Sequence, residues 1–244
     1  MTNEQTIEKL YDLKLGAMAE AFREMLSRPD QGQLSFAERL GLLVDHEWMR
    51  REENRLTRRL KAARLKVPAN VEDVDLRTPR GLDRQVFLSL LSGDYLRQHH
   101  NLIISGATGV GKTYLGCALA DKACRDGFAA RYYRLPRLCF ELALARADGS
   151  YLKLLSQLAK ADLLILDDWG IAPLEGQAQH DLLEVIDDRA QSHSTLVASQ
   201  VPPSEWHQLF ADPTVADAVL DRLLHNAVRI DLKGGSMRKK TSAV

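Results

Sequence analysis

GATGVGKT (Gly106–Thr113) follows the short apolar run NLIIS (Asn101–Ser105) and opens into YLGCALADKAC, which has helical spacing and no proline. Strand, glycine-rich loop and helix in that order give the pattern its meaning as a phosphate site. The other reading, a glycine-rich turn with a chance lysine, is disfavoured by those flanks. Gly106, Gly109 and Gly111 let the backbone curl until its N–H groups point inward at a polyphosphate, with Ala107, Thr108 and Val110 completing the cradle. The helix N-terminus adds partial positive charge. Lys112 can reach the β- and γ-phosphates, and the Thr113 hydroxyl can sit on Mg²⁺. The octapeptide is a Walker A loop, and it predicts a site for a nucleoside triphosphate.

Downstream, strand and helix patterns alternate, which predicts a parallel sheet covered on both faces, with strands at 101–105, 129–134, 162–167, 195–199 and 227–232. The third of these, LLILDD (Leu163–Asp168), is an apolar strand ending in two acids, as a Walker B strand does. Asp167 at its carboxyl end can hold Mg²⁺ opposite Thr113, and Asp168 can orient or deprotonate the attacking water. Thr113 and Asp167 are 54 residues apart, with a helix, a strand and another helix between them. An extra strand can then lie between the loop strand and its acidic partner, as in motor-type ATPases. No base-reading NKxD motif is present, which argues against a GTPase. TLVAS (Thr195–Ser199), followed by Gln200, ends in polar residues. Ser199 first, or Gln200, can act as a polar sensor of the γ-phosphate; the alternative is an ordinary strand end. Arg222, in VLDRLLHNA, is either a surface arginine paired with Asp221 or an arginine finger offered to a neighbouring subunit.

The remaining features set the frame. The chain has 244 residues, 45% of them hydrophobic, enough for one ordinary domain with a small accessory one. Lys+Arg and Asp+Glu both number 33, so net charge says nothing about partners. Cys117, Cys124 and Cys139 lie in apolar helical stretches without metal-ligand spacing and read as reduced core thiols. MTNEQTIEKL lacks the features of a signal peptide, and no run approaches the ~20 apolar residues of a membrane span. A cytoplasmic protein with no membrane partner is expected. Residues 1–67 look wholly helical. Short helices carry Ile7, Leu10 and Leu13, then Met18, Phe22, Met25 and Leu26. After a break at Pro29–Gly32, a long helix starts from a capping box of Ser35 and Glu38. The predicted division is an all-α N-terminal domain (1–67), a linker (68–80) and a P-loop domain (81–244). Arg50–Lys66 carries eight basic and two acidic side chains. Read as a helix, it aligns Leu56, Leu60, Ala63 and Val67 in one stripe, flanked or opposed by Arg51, Arg55, Arg58, Arg59 and Lys61. That face either meets DNA phosphates or is a solvated face whose Arg51 and Arg55 pair with acids. Trp48, Trp169 and Trp206 read as packing residues, and no structural metal site is expected.

GATGVGKT, LLILDDWG, TLVASQVPPSEW and AVLDRLLHNAVRIDLKGGSMRK, in this order, resemble the AAA+ ATPases of the DnaC and IstB group. LKLGAMAEAF, LSFAERLGLLVDHEW, RRLKAARLK and RGLDR look like the IstB transposition helpers, and the resemblance covers nearly the whole chain. It implies an α/β AAA+ core with a central five-stranded parallel sheet plus a small all-α N-terminal domain. Only 12 residues follow Leu232, so the usual C-terminal helical lid is expected to be missing. The resemblance also implies ATP and Mg²⁺ as cofactors, oligomers with ATP at subunit interfaces, assembly on duplex DNA and recruitment of an insertion-sequence transposase. It places phosphate binding on Gly106–Thr113, the metal on Asp167, water activation on Asp168, the first sensor on Ser199 and the finger on Arg222. Asp168 stands where many AAA+ proteins carry Glu, which implies slow hydrolysis and a timed switch. Arg238 in GGSMRK resembles a C-terminal motif of the group. The competing expectation is a DnaC-type replicative helicase loader.

Overall fold

Thr2 and Gln5 cap each other, the Gln5 N–H donating to Thr2 Oγ1 and the Thr2 N–H to Gln5 Oε1, and this starts helix α1 (Asn3–Asp12). The computed structural model describes residues 2–27 and 34–237, so the break at Pro29–Gly32 and Arg238 both lie outside the described residues. Helix α2 (Gly16–Ser27) comes next, and Ser35 and Glu38 then form the expected capping box of α3 (Phe36–Ala63). Glu47 of α3 accepts from Ala17 N and Met18 N, satisfying two orphan donors at the start of α2. Helix α3 ends earlier than the apolar spacing suggests. Arg64 takes a left-handed φ of 53°, and Pro68 disfavours helical backbone at Val67. Val67 therefore falls beyond the helix, while Leu56, Leu60 and Ala63 stay on it. The chain divides into two compact units between Arg58 and Arg59, inside α3.

In the second unit, Asp83 caps α4 (Arg84–Leu91) by accepting from Gln85 N and Val86 N, and a short α5 (Asp94–Arg97) precedes the sheet. The order is then β1 (Asn101–Gly106), α6 (Lys112–Arg125), β2 (Ala130–Arg134), α7 (Leu135–Asp148), α8 (Tyr151–Ala159), β3 (Leu163–Trp169), α9 (Gln177–Arg189), β4 (Ser194–Ser199), α10 (Pro213–Leu224) and β5 (Ala227–Leu232). All five strands are parallel, in the order β2-β3-β4-β1-β5. The five expected strands form within a residue or two of their predicted ends, and β4 lies between the loop strand and the acid-bearing strand. Leu102–Ile104, Leu163–Leu166 and Leu196–Ala198 are buried, which is why they read as unbroken apolar runs rather than alternating ones.

Trp169 and Trp206 are fully buried with ring centroids 5.0 Å apart. Trp48 departs from the packing expectation: it is 62% exposed on α3. Among the described residues no helix follows β5, and none is long and apolar enough to cross a membrane.

Candidate nucleotide site

The loop after β1 is forced into its curl by close neighbours as well as by composition. Gly106 has φ 142°, and a Cβ there would lie 2.1 Å from the backbone oxygen of Leu232 on the paired strand β5. Only glycine lets β1 and β5 keep this register while the chain turns. Lys112, first residue of α6, folds back and donates to Gly106 O at 2.7 Å and Ala107 O at 2.9 Å. The ammonium is thus held inside the loop, next to the α6 N-terminus.

Opposite it, Thr113 Oγ1 donates to Asp167 Oδ2 at 2.8 Å, joining the two motif residues separated by 54 positions. Asp167 is almost wholly buried. Its Oδ2 also accepts from the Tyr132 hydroxyl at 2.6 Å, and Lys66 Nζ lies 3.8 Å away. Burial, then the bond to Asp167, pushes the Tyr132 hydroxyl well above its ordinary range, so this group acts as a donor at neutral pH.

Successive strand residues ordinarily point to opposite faces, yet Asp167 and Asp168 both line one cavity. A β-bulge explains this. Leu166 pairs with Val197 and Trp169 with Ser199, so β3 carries one residue more than β4 across this step. Asp168 absorbs the irregularity with φ 60°, a conformation Asp tolerates, and its N–H bonds to Asp167 Oδ1 at 2.9 Å. The Asp168 carboxylate is paired with Arg134 Nε at the end of β2.

The cavity holds about 590 Å³, a size suited to a small-molecule cofactor. Its walls include Thr108, Gly109, Gly111, Lys112, Thr113, Asp167, Asp168 and Gln200, together with Lys66, Asp73, Asp75 and Arg80 from the segment before β1 and Met237 after β5. Met237 N also donates to Gly109 O at 2.9 Å, so the GGSM segment rests on the loop. Thr113 and Asp167 supply a hydroxyl and a carboxylate of the kind a hard divalent cation takes, which fits Mg²⁺. Among the described residues no cluster of three or more His, Cys, Asp or Glu is arranged to hold a metal by itself.

The other predicted residues are placed differently. Ser199 is fully buried; its hydroxyl has Trp169 O and Val201 O within donating distance for its one proton and accepts from Val201 N. It braces the end of β4, whereas its neighbour Gln200 faces the cavity and accepts from Thr108 Oγ1 at 2.7 Å. Arg222 pairs with Asp187 rather than Asp221 and donates to Ala218 O. Its own carbonyl takes a bond from Asn101, the first residue of β1, so Arg222 sits at the amino edge of the sheet. The loop sits at the carboxyl edge, five residues along β1, about 16 Å at ~3.3 Å per residue. Among the basic residues near the end of α3, Arg51 pairs with Glu47 and Arg55 with Glu52, while Arg58 donates to Asn54 O. Arg59 reaches Gly127 O, and Lys61 is exposed. The sequence assigns no role to Tyr132, Arg134, Lys66 or Arg80, although Arg80 opens RGLDR and Lys66 closes RRLKAARLK. Only strand pairing, which sets Arg134 beside Asp167, brings the two β2 side chains to the acids.

A five-stranded parallel sheet in this order, with a Walker A loop after β1 and an acid pair at the end of β3, one strand away, defines a P-loop nucleotide-binding protein of the AAA+ class. The family model for IstB-like ATP binding proteins matches residues 8–244, and the chain belongs to that family. A Sinorhizobium fredii protein named as an insertion-sequence ATP-binding protein is 52% identical over 234 residues, covering 96% of each chain. Among solved structures, DnaI superposes with a TM-score of 0.59 at 20% identity, covering 69% of this chain and 96% of that one. The DnaC helicase loader does so at 0.56 and 18% identity, covering 68% and 97%. At those identities the likeness is one of fold.

Proposed function

We propose that this protein is an ATP-dependent, DNA-binding transposition helper that oligomerises on duplex DNA and recruits or stimulates an insertion-sequence transposase. The observation that carries the reading is the convergence of Lys112, Thr113, Asp167 and Asp168 on one cavity in a chain of the IstB-like family. The names of its relatives supply the insertion-sequence setting. Gly106–Thr113 would cradle the phosphates, Lys112 would serve the β- and γ-phosphates, and Thr113 with Asp167 would hold Mg²⁺, which draws charge from the phosphates when bound. Asp168 would orient and deprotonate the attacking water. Gln200 is the polar side chain at the end of β4 that can meet that water; Ser199 would act through the backbone it braces.

Arg222 favours an oligomer. Its place at the far edge of the sheet keeps it from its own loop, so an arginine-finger role requires a second subunit. ATP would favour the assembled state to the extent that it binds that state more tightly, and hydrolysis would drive disassembly. Duplex contacts would fall on phosphates and be largely blind to sequence. Arg58, Arg59 and Lys61 are better placed for them than Arg51 and Arg55, whose charges are paired with Glu47 and Glu52. We assign residues 1–67 to this N-terminal helical role, 68–80 to a linker and 81–244 to the ATPase.

The likeness to the DnaC loader supports a second reading, in which the client is a replicative helicase. Sedimentation with a plain duplex of 50–60 base pairs, roughly five helical turns at ~10.5 base pairs each, separates the two. A large complex requiring both duplex and a non-hydrolysable ATP analogue is expected, absent for Lys112→Ala and longer-lived for Asp168→Asn with ATP. Assembly confined to single strands would transfer the protein to the loader class.

A further inference from the structure

Arg80 opens RGLDR, one of the family-like segments, and lies thirty residues before the loop residue it touches. It is 95% buried, being 5% exposed, and it lines the nucleotide cavity. Its Nη1 donates to Val110 O at 3.0 Å, and a Cβ on Gly111 would come within 2.6 Å of that nitrogen. The guanidinium therefore lies directly against the loop backbone that cradles phosphate. Among the described residues its Nε has no hydrogen-bond partner. Arg80 cannot readily swing away at its root, because its carbonyl accepts from Lys233 N at 2.7 Å, just past β5.

These observations are hard to reconcile with a purely structural arginine. A buried cation costs free energy unless it is paired and hydrogen-bonded. Arg80 has a backbone carbonyl and the field of nearby Asp75, and burial still pulls its guanidinium below the ordinary arginine range. A polyphosphate entering the cavity would bring several negative charges to the place where this cation is held under-satisfied.

We propose that Arg80 is a polyphosphate-binding residue of this site, a positive element beside Lys112, Lys66 and the α6 N-terminus, supplied by the segment that precedes the P-loop domain. The inference rests on the nucleotide-site reading given above. A charge-assisted contact of about 1.5–3 kcal/mol corresponds to roughly 10- to 150-fold in affinity. Binding energy from Arg80 also ties the linker to the occupied loop, so phosphate strengthens the docking of residues before β1.

The test compares wild type, Arg80→Lys, Arg80→Gln and Lys112→Ala in the full chain, titrated with fluorescent ATP and ADP analogues at several salt concentrations. Melting temperatures are measured without nucleotide. Gln retains a donor for Val110 O but no charge; Lys retains the charge. The expected result is a tenfold or greater loss for Arg80→Gln, a smaller loss for Arg80→Lys, a shallower salt dependence for Arg80→Gln and little change in nucleotide-free melting. Equal affinities for wild type and Arg80→Gln would overturn the proposal while leaving the nucleotide site intact. So would a loss in both variants that tracks a fall in nucleotide-free melting, which would make Arg80 a brace for Val110. Failure of wild type itself to bind either analogue would instead remove the nucleotide-site reading on which the proposal stands.

Discussion

Replacing Tyr132 by Phe removes a single hydrogen bond onto the candidate metal ligand and little else. The ring is largely buried and its shape is conserved, so the packing of β2 on β3 should survive. The lost bond is 2.6 Å long and ends on Asp167 Oδ2, a carboxylate that is 2% exposed and has no solvent to fall back on. A hydrogen bond to a buried charge is worth about 1.5–3 kcal/mol. For a unit of about 200 residues, each kcal/mol moves the melting temperature by ~2–4 °C, so nucleotide-free protein should lose about 3–12 °C. Because the Tyr132 hydroxyl is raised in the folded state, its contribution is fully present below the unfolded value near 10 and is lost only as pH climbs through the folded one. The deficit should therefore be constant from about pH 6 to 9. Saturating Mg²⁺ and a non-hydrolysable ATP analogue should shrink it, since a cation on Asp167 makes up the missing compensation. Differential scanning fluorimetry with and without Mg²⁺-nucleotide reads both quantities. An undiminished deficit in the loaded protein would refute the idea that Tyr132 and the metal share one carboxylate, and no deficit at all would refute the bond's energetic role.

Three further outcomes follow from single contacts. Arg134→Ala should move stability by less than ~1 kcal/mol, because the arginine is solvent-exposed, but should raise basal ATP turnover several-fold by releasing Asp168; unchanged turnover would show that the pair does not restrain it. Gly106→Ala should unfold the protein or lower its melting temperature far more than Gly127→Ala. Both positions have positive φ, but a Cβ at 127 meets nothing within 4 Å, whereas at 106 it strikes the Leu232 carbonyl; equal losses would mean that strain, not the clash, governs the loop. At Asp181, burial alone would push the carboxyl up, yet hydrogen bonds from Arg146, Gln177 and Tyr151 outweigh it and hold the group below its ordinary value. Its stabilisation is present above about pH 4 and lost as pH falls through the lower folded value. Urea melts should therefore show Asp181→Asn destabilised at neutral pH, with the gap to wild type closing as pH falls below about 4; a gap independent of pH would contradict the assignment.

What was legible in the sequence was whatever a short stretch decides by itself. GATGVGKT carries its own backbone geometry in its glycines, and the apolar runs 102–104 and 163–166 announce strands buried on both faces. Even the interposed strand β4 could be read, because it depends only on the length of chain between Thr113 and Asp167. The end of α3 was missed for a different reason. Apolar spacing continued to Val67, and the competing signal was a single proline at 68 acting on the residue before it.

The chemistry around the two acids depends on a feature with no sequence signature at all. Consecutive Asp167 and Asp168 reach one cavity only because β3 holds an extra residue against β4 at that step, and a bulge is a property of two strands in register, not of one. The same holds for the residues that tune the acids. Tyr132 and Arg134 become partners of Asp167 and Asp168 once β2 pairs with β3, and Arg80 meets Val110 once the chain before β1 is fastened to the end of β5. The motif residues thus specify which ligand the site is built for. On the proposed reading, the non-local residues would set how tightly it is held and when it reacts. If Arg80 binds phosphate and Arg134 restrains Asp168, as proposed, then occupancy of the loop would be coupled to the linker, and turnover to the Arg134–Asp168 pair. A timed ATP switch needs that coupling more than it needs a faster base.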